Sequence, residues 1–154
     1  MAKIIKPIEF DYSLMLKKDV NFTVYGDPMG KERPRMARRG NYVTTYTPKK
    51  TKEYEKIVKN SYIKSIGKVK LDNAIEVNIT GVFRVPKSTS KKMKKEMLEG
   101  NIKHIKKPDC DNMGKIILDG LNKVAYDDDS QICKLNIEKM YGEKPMVKVN
   151  LKEI

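Results

Sequence analysis

Histidine occurs once in this chain and cysteine twice. A zinc site needs Cys and His ligands at set spacings, so His104, Cys110 and Cys133 do not build one. Two cysteines are also too few for a disulfide framework, and both read as ordinary buried thiols of a cytosolic protein. No apolar run approaches the roughly 18 residues that a transmembrane helix needs. The start, Met1-Ala2-Lys3-Ile4-Ile5-Lys6-Pro7, lacks the apolar stretch and cleavage site of a signal peptide. A cytoplasmic location with no membrane partner is therefore expected. The last shortage is of acid. Twenty Asp and Glu face 33 Lys and Arg, a formal net charge of +13 over 154 residues. Such a surplus points to a nucleic-acid partner.

The length fits one domain, 1–154, and 39% hydrophobic residues suffice for a core. Residues 1–17 carry no committed pattern. Asn21–Tyr25 alternates as a short strand. Gly26–Arg35 holds two glycines and two prolines and breaks any regular element. A basic loop is expected next, running to Pro48, with Thr47 as N-cap and Pro48 at the first helical position. The helix that follows places Tyr54, Ile57, Val58, Tyr62 and Ile66 on one stripe and stops at Gly67. Ala74–Val85 is the clearest strand, with Ile75, Val77, Ile79, Gly81 and Phe83 on one face. Ser88-Thr89-Ser90 caps a lysine-rich helix ending at Gly100. A second amphipathic helix carries Met113, Ile116, Ile117, Gly120, Leu121 and Val124. Gln131–Tyr141 and Met146–Leu151 alternate again, with Gly142–Pro145 expected as a hairpin between them. Strands interleaved with helices predict an α+β fold, a mixed β-sheet packed with two or more α-helices.

The scarce acid is concentrated. Five aspartates fall in two places, Asp109 and Asp111, then Asp127, Asp128 and Asp129, with one helix between. Asp109 and Asp111, two apart in an extended segment, share a face. The turn after the helix is expected to bring the second group back to the same end of the sheet. Crowded carboxylates raise one another's pKa values, and a divalent ion removes that penalty. All-oxygen ligands favour Mg2+, with Mn2+ as substitute. Such an ion in a basic protein points to attack on a phosphodiester. Each group alone has a plainer explanation: Asp111 or Asn112 as a helix cap, Asp127–Asp129 as a turn. Lys115, four residues after Asp111, fits either a helical salt bridge or stabilisation of charge at the scissile phosphate. His104 fits a loop residue better than a general base. Lys31, Arg33, Arg35, Arg38 and Arg39, interleaved with Tyr42 and Tyr46, form a candidate DNA-binding segment; Lys106 and Lys107 end a second basic stretch.

The run Lys107-Pro-Asp-Cys-Asp-Asn-Met-Gly-Lys-Ile-Ile-Leu-Asp-Gly-Leu-Asn, followed by Asp128-Asp129-Ser130-Gln131-Ile132, resembles the RusA family of Holliday junction resolvases. Looser likeness extends through Gly30-Lys-Glu-Arg-Pro-Arg and Tyr46-Thr-Pro-Lys-Lys-Thr. The resemblance implies a magnesium-dependent homodimer, common in phages and prophages, that makes paired nicks in four-way DNA junctions during recombination and repair. Its catalytic aspartates fall on Asp109, Asp111 and Asp129, and its lysine on Lys115; Asp128 is a further candidate ligand. Asp127 is an extra aspartate ahead of the family's usual pair. The alternative is a basic DNA-binding protein without catalysis, whose carboxylates only cap and turn.

Overall fold

The computed structural model describes residues 16–154, so most of the uncommitted segment 1–17 lies outside the described residues. Alternation around Phe22 forms β1 (Asp19–Tyr25), with Phe22 and Val24 buried. The basic stretch expected as a loop is instead a hairpin, β2 (Arg35–Arg39) and β3 (Tyr42–Tyr46). The cause is local: Gly40, at φ 62, opens a two-residue turn with Asn41, and glycine adopts that backbone without steric penalty.

Helix α1 (Lys49–Ser65) starts one residue later than expected. Pro48, at ψ 145, is its N-cap, and no side chain caps it. Thr51, Tyr54, Val58 and Tyr62 make the buried stripe, while Ile57 stays half-exposed. The chain leaves α1 through Gly67 at φ 95, whose amide donates to the Ile63 carbonyl at 2.9 Å. Strand β4 (Ile75–Arg84) follows, then α2 (Lys91–Leu98), where the Ser90 hydroxyl accepts from the Met93 amide. Next come α3 (Cys110–Leu121), a short 3-10 turn (Asp129–Gln131), β5 (Ile132–Gly142) and β6 (Met146–Glu153).

The four-stranded sheet has the order β1-β6-β4-β5. Strands β4 and β5 are parallel and the other pairs antiparallel, which gives the mixed sheet of an α+β fold. Segment 143–145 is therefore not a hairpin. It steps across the end of β4 to reach β6, and Gly142 makes room: a Cβ there would lie 2.4 Å from a Val82 methyl. A bulge opposite Ile75 and Glu76 turns Cys133 outward, so this thiol is exposed, and Cys110 is only half-buried. Both depart from the buried thiols expected.

Helices α1 and α3 cover one face of the sheet. Met113, Ile116, Ile117 and Leu121 of α3 are fully buried, each contributing about 1.5–3 kcal/mol relative to exposure. Close approach is needed on both sides: a Cβ on Gly120 would sit 2.9 Å from the Glu55 backbone oxygen of α1, and one on Gly114 2.3 Å from Ile137 Cδ1 of β5. The opposite sheet face is polar. Asn136, Asn78, Asn150 and Asn21 lie in register across all four strands, each amide donating to the next at 2.7–3.1 Å. Among the described residues no helix is long and apolar enough to cross a membrane.

Candidate active site

The N-terminus of α3 is held from two sides. On one, the Gly30-Lys31 backbone crosses it, and the Lys31 amide donates to the Asn112 carbonyl at 2.9 Å. A Cβ on Gly30 would meet Pro108 Cβ at 2.8 Å, so only glycine passes this close. On the other, the Lys139 ammonium of β5 donates to the carbonyls of Lys106 at 2.7 Å and Pro108 at 2.9 Å. Lys139 was missed by sequence reasoning. The signal was its place in β5, where it alternates with Ile137 and Tyr141 towards the helix layer. His104 stacks on Phe83 at 3.7 Å and meets the Tyr141 edge at 5.2 Å. Burial pushes its pKa down, with repulsion from Lys139 and Lys106. It wedges the start of the 104–108 segment against the two rings. Between these walls lies a cleft of about 800 Å³, lined by Gly30, Arg33, Lys106, Lys107, Asp109 and Asn112 among others.

Asp109 is the N-cap of α3, at φ −72 and ψ 161, and its carbonyl accepts from the Met113 amide at 3.1 Å. The helix thus begins before Asp111, which lies in its first turn; neither Asp111 nor Asn112 is the cap. The Asp109 side chain makes no capping bond, so its exposed carboxylate is free. Both carboxylates stand at the helix end whose free amides and dipole favour negative charge. Lys115 is exposed one turn further on, and among the described residues no carboxylate lies within 4 Å of it.

The second group is sorted by its neighbours. Asp127 pairs with Lys70 at 2.7 Å, and that hydrogen bond holds its carboxyl below the usual range. Asp128 caps the 3-10 turn, accepting from the Ser130 amide, while the Gln131 carboxamide oxygen accepts from the Asp127 and Asp128 amides. The same Gln131 donates to the Leu71 and Asn73 carbonyls and ties the turn to the start of β4. Asp128 and Asp129 share a side-chain hydrogen bond, which lowers the pKa of the first and raises that of the second. Two adjacent exposed carboxylates offer oxygen donors that a hard cation fits.

The two groups do not meet within one chain, contrary to the expected return to one end of the sheet. The parallel pairing of β4 with β5 starts β5 at the bottom of the sheet, Ile75 opposite Ile132, and α3 runs down from the top. Lys139, which holds the Asp109 end, is seven residues along β5 from Ile132, about 23 Å. Among the described residues no three His, Cys, Asp or Glu side chains are close enough to hold a metal. Asp119 lies between, near enough to help raise the Asp129 pKa. Lys31 binds Asp119 at 2.8 Å and Glu55 at 2.5 Å, its side chain only 18% exposed. These two carboxylates occupy the Lys31 charge at the edge of the cleft. Of the candidate DNA contacts, Lys31, Arg33, Lys106 and Lys107 line the cleft, while Arg35, Arg38 and Arg39 lie on the β2–β3 hairpin.

The family model described as Endodeoxyribonuclease RusA matches residues 25–152, from the end of β1 into β6. A Bacillus subtilis (strain 168) protein, Uncharacterized protein YqaN, is 33% identical over 137 residues, spanning 88% of this chain and 96% of that protein. The helix with aspartates beyond both its ends, and the basic cleft at one of them, thus lie within the matched span, and the chain belongs to the RusA family of endodeoxyribonucleases.

Proposed function

We propose that this protein is a magnesium-dependent endodeoxyribonuclease that resolves four-way DNA junctions by paired nicks, acting as a homodimer. The observation that carries this is the uncapped Asp109 carboxylate in a cleft whose other charged lining is Lys31, Arg33, Lys106, Lys107 and Lys139, with Glu32 the one further carboxylate and itself facing Arg35. A basic cleft recruits phosphates; a free carboxylate in it repels them unless it serves a cation. A bound Mg2+ would polarise the scissile phosphate and lower the pKa of a water.

Asp109 and Asp111 would form one half of the metal site and Asp129, with Asp128 beside it, the other. Since α3 and β5 hold the halves about 20 Å apart, a second copy supplies the missing half in a two-fold pair. Arg33, Lys106 and Lys107 hold the strand, and Lys115 faces the developing charge. The two-fold relation sets two equivalent sites on symmetry-related strands.

The test uses purified protein on labelled four-way, three-way and linear DNA, with and without Mg2+. Nicking should require Mg2+ and favour the four-way substrate. Complementation then tests the shared site. Asp109→Asn and Asp129→Asn chains should each be inactive, yet mixing and reassociating them should restore one intact site per mixed dimer, about a quarter of wild-type sites. An inactive mixture of demonstrably mixed dimers would refute the shared site. Absence of Mg2+-dependent nicking in the wild type would refute the enzyme.

A further inference from the structure

The β2–β3 hairpin forms its own two-stranded sheet. Both strands are exposed except at Ala37 and Thr44, which are half-buried. An isolated ribbon of this kind is marginally stable in water. Large side chains on it nevertheless face solvent: Tyr42 is 66% exposed and Tyr46 46%. The register sets Arg39 opposite Tyr42 and Arg35 opposite Tyr46. Paired residues share a face, so one side of the arm carries two Arg–Tyr pairs about 13 Å apart, with the small Ala37–Thr44 pair between them.

We propose that this face is a platform for unpaired DNA bases, on which Tyr42 and Tyr46 stack while Arg35 and Arg39 hold the flanking phosphates. The inference rests on the proposed junction cleavage and adds to it the surface that selects branched over continuous DNA. Charge names the occupant. Residues 35–46 carry three arginines and no acid. Among the described residues no carboxylate reaches Arg38 or Arg39, and Arg35 meets Glu32 only at 3.5 Å. Two copies of this face would oppose like charges, so it does not fit itself; a polyanion fits it. Phosphate binding alone needs no aromatic rings. The faces of duplex bases are already stacked, so exposed tyrosines between arginines match a strand whose bases have opened. The arm is rooted beside the cleft: Arg33, two residues before β2, lines it together with Asp109.

The chain contains no tryptophan, so Tyr42→Trp installs a single reporter on the platform. Its emission should be quenched by four-way junction DNA and by oligo(dT), and not by a blunt linear duplex. The Tyr42→Leu/Tyr46→Leu double variant should bind junctions and oligo(dT) about 10–100-fold more weakly, with duplex affinity within about twofold. Its melting temperature should match wild type, since these side chains are solvent-facing. Equal loss on all three DNAs, or no loss on any, would overturn the platform. Wild-type protein that cuts junctions while the double variant keeps full junction preference would remove the platform alone. Wild-type protein that neither cuts nor prefers junctions, yet shows the oligo(dT)-selective quench and its loss in the double variant, would remove the proposed function and leave the platform.

Discussion

The Lys139 ammonium lies 2.9 Å from the carbonyl oxygen of Pro108, the residue before Asp109. A charge-assisted bond from a rigid sheet strand thus fixes the backbone that delivers the carboxylate at the head of α3, and a second, to Lys106, fixes its approach.

Replacing Lys139 with Met should release that backbone. Misplacing a reacting group by about 1 Å can lower turnover on the order of 100-fold. The expected result is a 10–100-fold fall in kcat, a smaller change in KM, and partial recovery in Lys139→Arg. Steady-state cleavage of a labelled junction with thermal melts distinguishes this from general unfolding. Unchanged kcat would show that the Asp109 carboxylate needs no such anchor.

Asp109→Asn, Asp111→Asn and Asp129→Asn should each abolish nicking and leave junction binding intact or tighter, because each removes negative charge at nearly constant size. Asp127→Asn should keep activity, since that carboxylate is already committed to Lys70. Loss of activity in Asp128→Asn with retention in Asp129→Asn would shift the ligand by one residue.

Metal dependence should vary with pH in a defined direction. Donating a hydrogen bond to the Asp128 carboxylate raises the Asp129 pKa, so in metal-free protein Asp129 keeps its proton to higher pH than an isolated aspartate. Mg2+ competes with that proton. The Mg2+ concentration for half-maximal rate should therefore rise as pH falls through the raised Asp129 value, and the rise should be smaller in Asp128→Asn. Magnesium titrations at several pH values measure it. A requirement that does not change with pH would separate this pair from metal binding.

Lys31→Met should act on stability. Burial alone would lower the Lys31 pKa, but hydrogen bonds and attraction from Asp119 and Glu55 outweigh it and raise the value. A raised lysine pKa contributes stability that is fully present below the unfolded value and lost as pH rises through the folded one. Removing the ammonium leaves Glu55 and Asp119 facing each other, at about 1–3 kcal/mol after allowing for partial exposure. The salt dependence of DNA binding should not change. Arg33→Ala/Arg35→Ala/Arg38→Ala should instead reduce the slope of log K against log salt by about one unit for each lost phosphate contact.

Gly120→Ala should destabilise by about 2 kcal/mol, since its methyl would press on backbone at Glu55 and push α1 from α3. Gly114→Ala should be milder, because the obstructing atom is the tip of the Ile137 side chain, which can rotate. Urea unfolding of both variants ranks them.

Local chemistry was legible in the chain itself. Alternation along β4 set its buried face, Ser90 and Gly100 bounded α2, and the apolar stripe from Met113 to Leu121 set the buried side of α3. The aspartates on either side of α3, and the match of their spacing to the RusA pattern, were also complete in sequence, because motifs are strings of neighbours. What the sequence did not carry was relative placement. Whether β5 pairs beside β6 or beside β4 depends on which strand its edge meets, and alternation is the same in both cases. That choice made β4 and β5 parallel, while the length of α3, about 18 Å, keeps the Asp129 turn at the opposite end of the helix from Asp109. Tertiary structure likewise decided the partners of each charge. Lys31 and Lys139 are ordinary basic residues in the string, and only packing sets one between Glu55 and Asp119 and the other under the backbone at Pro108.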